Sequence, residues 1–170
     1  MMAHHFTMMA RYNAWANARL WKGIGVLTDE EYRRNAGAFF GSMHGTLSHL
    51  LVADRIWMQR FTGEGPTYDR LDVVPYADRA ELADARVRED GRISCWIGTL
   101  DEGDLAGRFT YTPVSTPEPV TQRLAPALAH FFNHQTHHRG QAHTILTSLG
   151  HRAPALDLIY FHRDAVGAPA

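Results

Sequence analysis

The chain has 170 residues, 45% of them apolar and 21% charged, which is enough for one domain with its own core. Its 17 Lys and Arg against 18 Asp and Glu give a net charge of −1, without the basic excess typical of nucleic-acid binding. The single cysteine, Cys95, excludes an internal disulfide and favours a reducing compartment. No apolar run approaches the ~20 residues of a membrane span, and no signal peptide is evident. We therefore expect one cytoplasmic domain over residues 1–170 that binds neither nucleic acid nor membrane.

Three helices are predicted in the first part of the chain. The first covers about residues 3–23, where apolar side chains recur at three- and four-residue steps. Thr28 is followed by three acidic residues, which is typical of a helix start, so a short helix is expected there. Ser42 is a suitable N-cap for a second long helix that reaches about Thr62. The Gly-Glu-Gly-Pro turn at 63–66 then ends it.

A third long helix is predicted over about residues 78–100. Asp78 is a good N-cap, and Glu81 stands three residues later, as in a capping box. The charged residues between 78 and 92 indicate a solvated helix face.

The rest of the chain contains one irregular region and two more helices. Residues 101–119 are rich in Gly, Thr and Pro, and the alternation at 108–112 predicts a short strand or hairpin arm. A fourth long helix is expected from residue 121 or 126 to 149, before Gly150, and a short one over about 155–163. Four long helices with short extra ones predict an all-α four-helix bundle, a fold that builds metal sites from facing helices.

Histidines are concentrated in the fourth helix, where five of the eleven lie between positions 130 and 143. His134 and His138 are four residues apart and so share one helix face, an arrangement that supplies half of a divalent-metal site. On a helical wheel His138 falls inside the apolar arc and His134 at its edge, while His130 and His137 lie toward its boundary. This favours the pair His134 and His138, and leaves His130/His134 and His134/His137 as alternatives.

A third ligand is expected from another helix, because two ligands hold a metal poorly. The second helix offers His44 and His49. Ser48, Arg55 and Gln59 define its polar side, and His44 lies with them. His49 lies among apolar residues and is therefore the better inward candidate.

Asp54 also falls within the apolar arc of the second helix. A buried carboxylate needs a partner. It could orient a ligand histidine, or pair with a buried arginine such as Arg139.

Three motifs follow one another along the chain: YNAWAN at 12–17, GSMHGTLSHLLVADRIW at 41–57 and NHQTHHRGQ at 133–141. Together they resemble the DinB family of damage-inducible proteins over about residues 6–161. The resemblance implies a four-helix bundle of the DinB/YfiT-like type, often a homodimer, with a three-histidine divalent-metal site. Carried over position by position, its metal ligands are His49, His134 and His138.

The expected activity follows from an open position on such a metal, where a bound water or thiol becomes a nucleophile. Related families resemble thiol-dependent enzymes, including mycothiol-dependent maleylpyruvate isomerase and bacillithiol S-transferases. We expect a metal-dependent enzyme acting on a small molecule, either an S-transferase or isomerase that uses a low-molecular-weight thiol, or a hydrolase. The alternative is a metal-stabilised, dimeric stress-response or binding protein without turnover.

The metal and the surrounding residues are less sharply predicted. Nitrogen ligands suit Zn²⁺ or Ni²⁺ first, with Fe, Cu and Mn as alternatives. Tyr12, Asp54, Arg139 and Gln141 are candidates for supporting or substrate-binding roles, although each also has a purely structural explanation. The loops at 63–76 and 108–119 are expected to line the mouth of the pocket.

Overall fold

Four long helices, three short helices and one small hairpin make up the computed structural model, which describes residues 1–167. The all-α bundle prediction is confirmed, while the last three residues of the expected domain lie outside the described residues. No described helix has both the length and the apolar character needed to span a membrane. The elements are α1 (Met2–Ile24), α2 (Asp29–Arg33), α3 (Met43–Thr62), α4 (Arg79–Ile97), α5 (Glu102–Ala106), β1 (Arg108–Tyr111), β2 (Val120–Arg123), α6 (Leu124–Ser148) and α7 (Leu158–Gly167).

The long helices are arranged around the bundle in the order α1, α4, α3, α6. Helix α1 packs against α4 and α6, and α3 packs against the same two. Consecutive long helices α1 and α3 therefore stand on a diagonal, and the chain crosses the bundle end to join them. This order places α3 beside α6, although the two are far apart in sequence.

The helix ends are fixed by side-chain caps that the sequence predicted. Thr28 and Glu31 form a reciprocal capping box at the start of α2. Ser42 accepts from the backbone N–H of Gly45 at the start of α3, and Asp78 caps α4. Gly63 ends α3 in the left-handed conformation, with a φ of 76°.

The bundle core contains two large apolar clusters, and a small third cluster of Tyr12, Ala16 and Phe161 packs α7 against α1. One lies toward the C-terminal end of α1 and contains Leu20, Ile24, Leu27, Tyr32, Met43, Leu47, Leu50, Leu51, Leu82, Ala85, Ala142, Ile145 and Leu146. The other lies toward the N-terminal end of α1 and contains Phe6, Ala10, Met58, Ile93, Ile97, Leu105, Leu128, Phe131 and Phe132. In every long helix the residues between the two clusters include buried polar side chains.

These polar side chains form a layer across the middle of the bundle. Arg86 on α4 donates to Asp54 on α3 at 2.7 Å and approaches Asp90 at 2.9 Å. Asp54 also accepts from the amide of Gln135 on α6. Asp90 accepts from Asn17 on α1 at 2.9 Å. One continuous network therefore contacts all four long helices.

Arg139 completes the layer from α6. Its guanidinium donates to the side-chain oxygens of Asn13 and Asn17 and lies over the ring of Tyr12, 5.4 Å from the ring centroid. Of the two roles suggested for Asp54, pairing with a buried arginine is the one observed, but the arginine is Arg86 on the neighbouring α4 and not Arg139, which donates to the asparagines of α1.

The charged run of α4 is only partly solvated. Arg86, Glu89 and Asp90 are buried, which contradicts the predicted solvated face at those positions. These side chains are buried because α4 faces the polar groups of α1 and α3 at this level.

Candidate metal centre

Three histidines converge on the seam between α3 and α6. His49 comes from α3, His134 and His138 come from α6, and one ring nitrogen of each lies within 4.8 Å of the others. The Nε2 atoms of His49 and His134 are 3.3 Å apart. His138 lies with its ring centroid 4.4 Å from the centroids of both other rings.

The neighbouring histidines of α6 stand outside this group. His130 is exposed, and its ring centroid is 5.9 Å from that of His134. His137 is also exposed. The structure therefore brings together the same three residues that the helix faces favoured. That they bind a metal stays a prediction.

Two of the imidazoles are oriented through their Nδ1 atoms. His49 Nδ1 lies 2.9 Å from the backbone carbonyl oxygen of Leu71, and His138 Nδ1 lies 2.7 Å from Oε1 of Gln141. Because these oxygens accept hydrogen bonds, each Nδ1 carries the proton. In the neutral ring the lone pair is then on Nε2, the atom that His49 directs toward His134.

Burial keeps the three rings in the neutral form that a metal requires. It lowers the pKa of His49 to about 4 and, together with the neighbouring His138 and His49, lowers that of His134 to about 3. Burial also lowers the pKa of His138. At neutral pH the site therefore presents uncharged nitrogen ligands.

Access to the three rings is one-sided. Phe40, just before α3, stacks on His49 with a centroid separation of 3.8 Å and an interplanar angle of 16°. His49 and His138 are buried, whereas His134 is partly exposed. The site is thus covered on the Phe40 side and open on the side of His134.

These residues fit a divalent cation. Within residues 1–167 the group consists of imidazoles alone, a donor set that suits Zn²⁺, Ni²⁺, Cu²⁺ or Fe²⁺ better than Mg²⁺ or Ca²⁺. The Nε2 atoms of His49 and His134 face each other across 3.3 Å, an arrangement that a proton or a cation between them stabilises. Three protein ligands also leave a coordination position free for water or substrate.

The sequence model of the DinB family matches residues 1–168. The chain belongs to the DinB family. Protein DinB of Bacillus subtilis (strain 168) is 23% identical over 149 residues, which cover 86% of this chain and 87% of that relative. The structure of YfiT from Bacillus subtilis superposes with a TM-score of 0.63 at 17% identity, covering 85% of this chain and 87% of YfiT. YfiT is described as a probable metal-dependent hydrolase with an unusual four-helix bundle topology, and the likeness supports the fold.

Of the four supporting residues considered from the sequence, only Gln141 contacts a histidine of the candidate centre. It accepts from His138 and its amide nitrogen lies 3.2 Å from Nε2 of His137. Tyr12, Asp54 and Arg139 belong to the polar layer instead. In this DinB-family chain they hold helices together and do not touch the three rings.

Two contacts at the centre were missed from the sequence. Leu71 acts through its backbone carbonyl, so its side chain gives no signal. Phe40 belongs to a Phe-Phe pair directly before the motif that begins α3. Two aromatic residues next to a predicted ligand helix could have indicated that a ring packs over the histidines.

The predicted polar side of α3 is also wrong in part. His44, Ser48 and Arg55 are all buried. His44 packs against the ring of Tyr32, with centroids 5.2 Å apart, because the short helix α2 covers that face. His44 is therefore buried but remote from the candidate centre.

Proposed function

We propose that this protein is a divalent-metal-dependent enzyme acting on a small molecule, with His49, His134 and His138 as the metal ligands. The observation that carries the proposal is the convergence of three neutral imidazoles, two of them oriented by protein oxygens at Nδ1. Such outer partners are characteristic of metal-binding histidines.

The chemistry of the site combines a Lewis acid with a partly open pocket. A divalent cation held by the three rings would lower the pKa of a bound water or thiol and so supply a nucleophile near neutral pH. Phe40 excludes solvent from one side of His49, which leaves the side of His134 for an incoming molecule. Within residues 1–167 no carboxylate joins the cluster, and the exposed imidazoles of His130 and His137, which neighbour His134 and His138, are our candidates for proton transfer.

Both nucleophiles have support. The description of YfiT favours water and hydrolysis. The family resemblance of the sequence favours a low-molecular-weight thiol and group transfer or isomerisation. A homodimeric state and a preference for Zn²⁺ or Ni²⁺ over Fe, Cu or Mn belong to the same proposal.

A second candidate is a binding module in which the metal stabilises the bundle without turnover. The burial of His49 and His138 and the stacking of Phe40 favour it. Against it, the apolar clusters and the polar layer already join the four long helices, so a metal adds little that the fold lacks.

The test of the metal site is elemental analysis of the purified protein and its histidine variants. We expect about one divalent ion per chain in the wild type, and loss of that ion in His49→Ala, His134→Ala and His138→Ala. His130→Ala and His137→Ala are the matched controls and should retain it. Unchanged occupancy in one of the three variants would remove that residue from the site, and unchanged occupancy in all three would overturn the proposal.

A further inference from the structure

Arg60 lies on the same face of α3 as His49. It stands eleven residues later, and at 100° per residue this separation is three turns plus about 20°. The axial rise places the two residues about 16 Å apart along the helix. Helical side chains lean toward the N-terminus, and the Arg60 guanidinium accordingly lies over Trp57, 4.7 Å from the ring centroid.

The positive charge of the Arg60 guanidinium is not balanced by a carboxylate among the described residues. It is packed over Trp57 and also over Tyr111 of the hairpin, 4.5 Å from that ring centroid. Its hydrogen bond within residues 1–167 is a long one, 3.5 Å to the backbone oxygen of Thr112, and none of the described ion pairs includes it. Since a guanidinium has five N–H donors, most of its donor capacity is free.

Another arginine of the same helix shows the contrast. Arg55 donates to the hydroxyls of Tyr68 and Tyr76 and lies 3.6 Å from the carboxylate of Glu89. Burial lowers the pKa of Arg60, as it does for a cation without a counter-ion. Arg60 is thus a half-buried cation beside two aromatic rings, with no ion-pair partner among the described residues.

A cavity opens in front of Arg60. Its volume of about 390 Å³ is within the range of small-molecule sites. It lies between the C-terminal part of α3, the loop that follows and the hairpin. It is lined by Ile56, Gln59, Arg60, Gly63, Thr67, Tyr68, Thr110, Tyr111, Thr112 and Val114.

A row of aromatic rings connects this cavity with the three histidines. From His134 the next ring is His130 at 5.9 Å, then Trp57 at 5.3 Å, then Tyr111 at 5.2 Å. These rings are exposed or partly exposed, and the row begins on the open side of the candidate centre. A molecule lying along it would reach both the histidines and Arg60.

We propose that Arg60 binds the carboxylate of an elongated small molecule whose opposite end reaches the three-histidine centre. The planar guanidinium suits a carboxylate, which it can hold with two parallel hydrogen bonds. The aromatic row suits an extended apolar or amphipathic linker of about 12–16 Å. This length is the axial rise along α3 from His49 to Trp57 and to Arg60, about 12 and 16 Å. This inference rests on the proposed function and narrows its substrate class.

The experiment compares three thiol probes by titration calorimetry on the metal-loaded protein. Mercaptoundecanoate has a thiol and a distal carboxylate, mercaptoundecanol is its neutral counterpart, and mercaptoacetate is too short to span the row. We expect the long acid to bind about tenfold more tightly than the neutral alcohol, the effect of one charge-assisted contact. In Arg60→Gln that preference should disappear, while the affinity for mercaptoacetate changes by less than about twofold.

The controls separate this inference from the proposed function. Arg108→Gln removes an exposed arginine of the same hairpin and should keep the preference. Arg60→Lys keeps the charge and should retain part of it. Equal binding of the two long probes by the wild type, or a preference that survives in Arg60→Gln, would overturn the inference. Failure of mercaptoacetate to bind the wild type would instead count against thiol binding at the metal.

Discussion

At the scale of single residues, the candidate centre depends on which nitrogen of each imidazole is free. His49 is oriented by the backbone carbonyl of Leu71, and His138 by the side chain of Gln141. A backbone acceptor survives substitution of its residue, whereas a side-chain acceptor does not. Gln141 is therefore the orienting contact that mutagenesis can remove.

Replacement of Gln141 by Met should weaken metal binding by about 10–100-fold, because His138 loses the acceptor that fixes its Nδ1 proton. The unbranched side chain of Met keeps the helix and most of the volume. Metal affinity would be measured by competition with a chromophoric chelator. Thr144→Val, at an exposed position three residues further along α6, is the control and should bind as the wild type does. An unchanged affinity in Gln141→Met would show that the contact does not orient the ligand.

How much of the centre could be predicted from the sequence depends on how each residue acts. His49, His134 and His138 could be predicted because the apolar face of an amphipathic helix shows which of its side chains point into the bundle. Leu71 could not be found, since a carbonyl oxygen is present at every position of the chain. Asp54 was correctly placed inside the bundle, but its partner on α4 depends on how two helices meet, which a single helical wheel does not contain.

At the scale of secondary-structure elements, the polar layer decides how α4 packs. Burial alone would lower the pKa of Arg86, but Asp90 and Asp54 outweigh it and raise that pKa, so Arg86 is a cation. Burial raises the pKa of Asp54 to about 7, and contact with Arg86 only partly opposes the rise. Arg86 is thus the group that allows two carboxylates to be buried at one level.

Arg86→Leu should destabilise the fold by about 3–5 kcal/mol at neutral pH, since it leaves Asp54 and Asp90 buried without their cation. Loss of Arg86 raises the pKa of Asp54 still further above its unfolded value, so protonation of Asp54 favours the folded state. Because the pKa of Asp54 is already raised to about 7 in the wild type, the deficit should grow as pH rises through about 7 and shrink as pH falls below it, where Asp54 is protonated in both proteins. Urea unfolding near neutrality and near pH 4 measures both effects.

The exposed Arg88 provides the matched control on the same helix. Arg88→Leu should change stability by less than about 0.5 kcal/mol at either pH. A deficit in Arg86→Leu that is equally small, or that does not vary with pH, would contradict the assigned role of Arg86.

Element boundaries were more predictable than element surfaces. Thr28, Ser42, Asp78 and Gly63 mark helix ends through local chemistry that is independent of the rest of the fold. The helix α5 was missed because five residues give no usable periodicity. The buried part of α4 was missed because its sequence is polar on nearly every side, and the opposing asparagines of α1 and the residues Asp54 and Arg55 of α3 determine which polar residues are buried.

At the scale of the whole molecule, the contacts that hold the bundle together do not depend on a metal. Two apolar clusters and the polar layer between them contact all four long helices. The candidate centre lies at the edge of this core, on the seam between α3 and α6. From this position we expect that the fold holds the site in place but does not need it for its own stability.

Removal of the metal with a chelator should therefore leave the helical circular dichroism unchanged. A ligand at about a hundredfold excess over its dissociation constant adds about 2.7 kcal/mol of stability, so Tm should fall by about 5–10 °C. Thermal unfolding of the loaded, stripped and reloaded protein checks this. His138→Ala with and without chelator is the control, and its Tm should not respond. Loss of cooperative unfolding in the stripped protein would favour the metal-stabilised binding module.

The hydrogen bond between His49 and the Leu71 carbonyl has a thermodynamic consequence. Leu71 belongs to an exposed connection between α3 and α4, so the conformation of that loop and the orientation of a ligand are one coupled equilibrium. Suppose that metal binding raises the equilibrium constant for ordering of the loop by some factor. Ordering of the loop must then raise the affinity for the metal by the same factor. A molecule that bridges the loop and the hairpin would thus tune the metal's affinity without touching it, and the metal would in turn tune the affinity for that molecule.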